Sequence, residues 1–159
     1  MTQLSERRVV HCPYHLAQRY LADNVRTLAT SGKESHLTLT ISVPGLELVK
    51  DVLVTFGPSV DPMHFDQPWH IHWKPQAGPY PEFDGELTVR ADETYRSAIL
   101  ELAGSYRPPG GALGAAFDWV AGSRIAGATA RALLARLGDE MTSRYEADEK
   151  AKQNPIAAS

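Results

Sequence analysis

His70 and His72 stand two apart in the run Trp69-His-Ile-His-Trp-Lys74, where apolar and polar residues alternate. In a strand that spacing puts both imidazoles on one face. Such a pair can offer two nitrogens to a metal ion, provided a third ligand arrives from elsewhere. The nearest histidine, His64, lies six residues earlier in a proline-rich stretch, and nothing fixes its geometry relative to the pair. The reading is therefore of imidazoles that face solvent or line a cavity, with no metal site and no cofactor. Both remain open to acid/base work, because imidazole titrates near neutral pH.

Asp84, Glu86, Thr88 and Arg90 form one face of another alternating run, opposite Phe83, Gly85, Leu87 and Val89. Facing outward they are ordinary solvated charges. Turned inward, Asp84 with Arg96 would make a polar anchor at the end of an apolar pocket, since a buried charge needs a partner. Glu101 reads as solvated, opposite the apolar face of Ala98, Leu100 and Leu102. The single cysteine, Cys12, has no Cys-His-Asn order around it and reads as packing; it fits a reducing compartment. The glycines from Gly110 to Gly114 lack the Lys and Ser/Thr of a phosphate loop and read as helix-turn glycines. Trp69, Trp73, Phe83, Tyr95, Tyr106, Phe117 and Trp119 supply most of the large-ring surface. Singly each is packing, and together they could wall a pocket for a flat or amphipathic molecule. The candidate ligand contacts drawn from these groups are Trp69, His70, His72, Tyr80, Tyr95, Arg96, Phe117 and Trp119.

The elements that must position them follow from periodicity. Leu113, Phe117, Val120, Leu133, Leu137 and Met141 recur at spacings of three and four, which predicts a long amphipathic helix over 110–152, with Gly122 a candidate kink. A helix that long needs a wide partner surface, and strands in the middle of the chain offer one. Arg7–Cys12 reads as a short strand. Pro13 opens a helix through Leu16, Tyr20, Leu21, Val25 and Leu28, with an interruption expected at Asp23-Asn24. His36–Val43 and Leu46–Phe56, joined by Pro44-Gly45, read as an antiparallel hairpin, with Lys50 marking a bulge or twisted exit. Trp69–Lys74, Asp84–Ala91 and Thr94–Tyr106 complete the strands. Residues 57–68 and 76–82 are loops rich in Pro and Gly, read as mobile segments that gate an internal cavity.

At 159 residues with a formal charge of −3, the chain fits one domain. Residues 34–93 hold ten acidic and three basic side chains, which argues against a nucleic-acid surface. No apolar signal core or 18-residue apolar run occurs, so a cytoplasmic protein without stable membrane insertion is expected. A homodimer is left open. Helices collected against one face of an antiparallel sheet give an α+β class.

The segment GSYRPPGGALGAAFDWVAGSRIAGATARALLARL, and above all Tyr106-Arg-Pro-Pro-Gly110 followed by Gly114, Asp118, Arg124 and Ala130-Arg131, resembles the START-like superfamily. That superfamily, also called SRPBCC or Bet v 1-like, has polyketide cyclase-like and lipid-transfer-like bacterial members. The resemblance covers residues 6–148 as a single domain, leaving 149–159 as a polar tail. It implies a helix-grip fold: a curved antiparallel sheet around the last helix, enclosing a hydrophobic cavity. It further implies binding of a hydrophobic or amphipathic small molecule. One alternative is a cyclase/aromatase-like enzyme using His70, His72, Tyr95 or Arg96 for proton transfer. Another is a structural or protein-interaction module with a collapsed cavity. The fold commonly has seven strands and the sequence yields six; a strand within 57–68 would reconcile the two.

Overall fold

In the order of the chain the elements are β1 (Thr2–Val10), α1 (Tyr14–Thr30), β2 (Ser35–Val43), β3 (Leu46–Pro58), β4 (Trp69–Pro75), β5 (Glu82–Ala91), β6 (Ala98–Arg107) and α2 (Trp119–Gln153). The computed structural model describes residues 2–30, 34–58, 68–78, 80–107 and 119–153. The extra strand sought in 57–68 and the helix start at 110–118 fall mostly outside them.

The six strands form one antiparallel sheet in the order β1-β6-β5-β4-β3-β2. Strands β2 to β6 are a meander, and β1 returns to pair with β6 (Thr2 opposite Tyr106, Val10 opposite Ala98). β1 and β2 are therefore opposite edges, yet α2 packs on both. From β1, Arg8 Nη2 reaches Asp139 Oδ1 (2.8 Å) and Glu6 Oε1 receives Arg131 Nη1 (2.9 Å). From the far edge, the Thr38 carbonyl accepts from Arg136 Nη1 (3.4 Å). Only a sheet curled around the helix can present both edges to it. This is the helix-grip arrangement, and the class is α+β.

Alternation decides what lies inside the grip. Leu37, Leu39 and Ile41 of β2, Val52 and Val54 of β3, Ile71 and Trp73 of β4, Phe83, Leu87 and Val89 of β5, and Leu100 and Leu102 of β6 are all buried on the helix side. Leu133, Leu134, Leu137 and Met141 of α2 face them, as the helical stripe predicts. α1 closes one end of the layer with Ala17, Tyr20, Leu21 and Val25.

Several details differ from the expectation. β1 begins at Thr2, five residues before the expected start; its inward positions include Glu6 and Arg8, whose charges are matched on α2, so no apolar alternation announces it. β6 begins at Ala98, because Asp92–Ser97 forms a turn. There the Asp92 carboxylate accepts from the Thr94 and Ser97 amides (3.1 and 3.4 Å), and Tyr95 sits at φ 58°. α1 runs unbroken through Asp23-Asn24, since the Asp23 carboxylate takes Arg144 Nη1 (2.9 Å) and is not competing for its own backbone. No bulge occurs at Lys50: the register continues through Leu39 opposite Lys50. The Pro44-Gly45 turn is as read, with Gly45 at φ 80°, the geometry a type II turn requires of its third residue. α2 continues past Asp148 to Gln153 and is one helix through Gly122, spanning about 52 Å at 1.5 Å per residue.

The outer face also holds a charge network. Glu101 is buried between Arg7 (Nε to Oε2, 2.7 Å) and Arg90 (Nη2 to Oε1, 3.3 Å), held by ion pairs although Oε2 has no well-aligned hydrogen bond. It is not the solvated position expected, because two flanking strands bring their guanidinium groups over it.

The α1–α2 seam predicts an alkaline limit to stability. Tyr20 donates to Asp148 Oδ2 (2.6 Å), and this bond, reinforced by burial, lifts its hydroxyl from 10.0 to about 12. Burial lifts the Cys12 thiol from 9.0 to about 11. Both folded values lie above the unfolded ones, so the stabilisation is complete below pH 9 and is lost as pH rises to about 12. Urea midpoints measured from pH 8 to pH 12 should fall across that window. Cys12→Ala should flatten the earlier part of the fall and Tyr20→Phe the later part; unchanged slopes in both variants would refute the assignment.

Candidate functional site

The sheet has two faces with chemistry on them. On the outer face the row across β4, β5 and β6 reads His72, Asp84, Ser105, each opposite the next. Asp84 is the hub: its Oδ1 lies 2.5 Å from His70 Nε2 and its Oδ2 3.7 Å from His72 Nδ1. A depression of about 370 Å³ opens here, lined by His72, Glu82, Phe83, Asp84, Ser105 and Arg107. Its walls are mostly charged or polar, and His70 and Asp84 are about half exposed. The two imidazoles share one carboxylate, and among the described residues no group of three or more His, Cys, Asp and Glu side chains has the arrangement of a metal site. His64 lies outside those residues. Asp84 pairs with the histidines and not with Arg96, so the polar anchor considered for an inward-turned β5 does not form.

On the inner face, the sheet end where β6 finishes carries a row of rings. Val54, Trp73, Phe83 and Tyr106 are successive cross-strand neighbours on β3, β4, β5 and β6. Trp73 and Phe83 stack with centroids 4.3 Å apart. In the next row the facing pair is Gly85 and Gly104. A Cβ on Gly85 would come within 2.6 Å of Phe83 Cζ and 2.8 Å of Gly104 Cα, so the two backbones and the Phe83 ring occupy the space side chains would need. The missing side chains let the two backbones approach closely while the Phe83 ring lies against them.

Tyr80 closes the same end. It is buried, Lys50 Nζ stands 5.4 Å from its ring centroid, and its hydroxyl bonds Thr129 Oγ1 of α2. Thr129 spends its own proton on the Ile125 carbonyl (2.7 Å), so Tyr80 is the donor in that pair. Burial holds the Tyr80 hydroxyl above its ordinary range, and it stays neutral at physiological pH. Trp73 Nε1 donates to the Pro81 carbonyl (3.2 Å). Next to it, Gln76 N bonds the Asp51 carbonyl (3.2 Å) and Lys50 Nζ the Ala77 carbonyl (2.7 Å). Of the two loops expected to move, 57–68 lies largely outside the described residues.

The candidates separate accordingly. Tyr80 is inside, and Trp69 faces inward and is half-buried against the core. His70 and His72 are on the opposite face of β4 from buried Ile71 and Trp73, so they do not line the space between sheet and helix. Tyr95 and Arg96 belong to the exposed β5–β6 turn, where Tyr95 is 68% exposed. Phe117 lies outside the described residues, and Trp119 is the first residue of α2. Trp73, Phe83 and Tyr106, read above as rings that could wall a pocket but not named as ligand contacts, belong with Tyr80, as does Thr129, which was not considered. The parity Trp69, Ile71, Trp73 already separated the inner rings from the histidines; Thr129 had no sequence signal, because its partner is 49 residues away.

No family model matches the chain, and no curated protein matches it. Solved structures do. TTHA0849 from Thermus thermophilus superposes with a TM-score of 0.53 at 10% identity, covering 90% of this chain and 99% of that one. The Zhui aromatase/cyclase from Streptomyces sp. R1128 superposes with a TM-score of 0.50 at 13% identity, covering 91% and 93%. The shared feature is the fold. It is a curled antiparallel sheet with a long C-terminal helix. Among the described residues no helix is long and apolar enough to cross a membrane.

Proposed function

We propose that this protein binds a hydrophobic or amphipathic small molecule between the curled sheet and α2, as a START-like binder. The observation that carries the reading is the inner-face row Trp73, Phe83, Tyr106, with Tyr80 beside it, at the sheet end where β6 finishes. Large rings with a few fixed polar atoms are what an enclosing site for an apolar ligand presents. The likeness to an aromatase/cyclase supports the same reading at the level of fold. The partner is a small molecule and not a nucleic acid, in keeping with the acidic centre of the chain. Proton-transfer chemistry is the weaker reading, because His70, His72, Tyr95 and Arg96 all stand outside the space between sheet and helix.

Native mass spectrometry of gently purified protein, with extraction of any retained molecule, tests this. The expected result is a one-to-one adduct of an apolar compound whose re-addition raises the melting temperature and slows hydrogen exchange at Tyr80–Phe83. Absence of any adduct, together with no thermal shift across a panel of apolar compounds, would overturn it.

A further inference from the structure

The ring donors buried in the core can be accounted for one by one. Tyr20 donates to Asp148, Trp73 to the Pro81 carbonyl, and Tyr80 to Thr129. Tyr106 is 3% exposed, and its hydroxyl has no hydrogen-bond partner among the described residues. It stands on the inner face of β6 directly across from Phe83, whose ring stacks on Trp73. A buried hydroxyl without a partner is costly, and native proteins rarely leave one. Its position does not relieve it from the outside, because alternation turns Tyr106 away from the polar outer row of Asp84 and Ser105.

Resting on the binding function proposed above, we infer that the ligand carries an oxygen, on an otherwise apolar skeleton, that accepts a hydrogen bond from the Tyr106 hydroxyl. Tyr80 does not compete for this oxygen, since its proton is committed to Thr129. The Trp73 N–H is likewise committed. Tyr106 is therefore a specificity-determining residue: it selects oxygen-bearing ligands over hydrocarbons of the same shape. Discrimination of this kind is strong because a ligand lacking the oxygen leaves the hydroxyl buried and unpaired.

Acetophenone and ethylbenzene are a matched probe pair, with a carbonyl in one where the other has a methylene, and as single rings they need little room. Their binding to wild type and Tyr106→Phe is measured by ligand-observed NMR titration, alongside melting curves of both proteins without probe. Tyr106→Phe should weaken acetophenone about five- to tenfold and leave ethylbenzene unchanged or tighter. The same variant without probe should melt at the same temperature or about 2–4 °C higher, because an unpaired buried hydroxyl has been removed. If both probes bind and the substitution changes them alike, the inference fails and the binding site stands. A lower melting temperature for Tyr106→Phe would mean that the hydroxyl is partnered within the chain, which also overturns the inference alone. If neither probe binds wild type, the inference fails, and the adduct and thermal-shift measurements above decide the binding reading.

Discussion

Leu133→Asp is expected to remove about 4–5 kcal/mol of stability, close to the whole margin of many domains of this size. Leu133 is 1% exposed in the middle of α2, between Ala130 and Leu137 on the stripe the sheet grips. Loss of the leucine alone forfeits about 2–3 kcal/mol of burial. The carboxylate then adds a desolvation cost, or a raised pKa that keeps it neutral, because the buried residues around it are apolar. Arg131→Ala is the control. Arg131 is only two positions away but exposed, and its pair with Glu6 is a surface ion pair, so the loss should be at most about 1 kcal/mol. Urea denaturation of both variants reads the difference. Equal losses would mean that α2 presents another face to the sheet.

The same contrast shows what the sequence made legible. The α2 stripe and the β2–β3 hairpin could be read because their partners are apolar and their period is local. His36–Val43 alternates without a break, and in the fold every second residue from Leu37 to Ile41 is buried. β1 escaped because two of its inward residues are Glu6 and Arg8, and the charges that make them acceptable there belong to Arg131 and Asp139, more than a hundred residues away. The strand start at Thr94 failed for a local reason: Asp92 caps a turn with its carboxylate, a role Asp fills readily. The candidate site divides along the same line. That His70 and His72 share a face was legible. That this face looks away from the helix required knowing which side of β4 is more deeply buried, and Ile71 and Trp73 decide it. Tyr106 could be seen as a ring but not as an unpaired donor, since pairing depends on every neighbour brought by other strands.

Least legible was the Gly85–Gly104 pair, and Gly104→Ala gives the second large effect: about 3 kcal/mol or more of destabilisation. The two glycines sit 19 positions apart and become partners only through the β5–β6 register. A Cβ on Gly104 would land against the Asp84 carbonyl oxygen, 2.5 Å from Gly85 Cα and 2.9 Å from Phe83 Cζ. Overpacking a core by one group commonly costs about 1–3 kcal/mol, and here two of the three obstacles are backbone atoms that cannot swing away. Two other glycines calibrate the result. At Gly45 nothing lies within 4 Å, but φ is +80°, so Gly45→Ala should cost about 1 kcal/mol through backbone strain. At Gly57 neither obstacle exists among the described residues, and Gly57→Ala should be close to neutral. Denaturation midpoints should therefore fall in the order Gly57→Ala, Gly45→Ala, Gly104→Ala. Near-ultraviolet circular dichroism adds a second readout: relief of the clash requires Phe83 to move or the strands to part, and either disturbs its stacking on Trp73. A Gly104→Ala protein with the midpoint of Gly57→Ala and an unchanged aromatic signal would show that the two backbones do not approach closely at this pair.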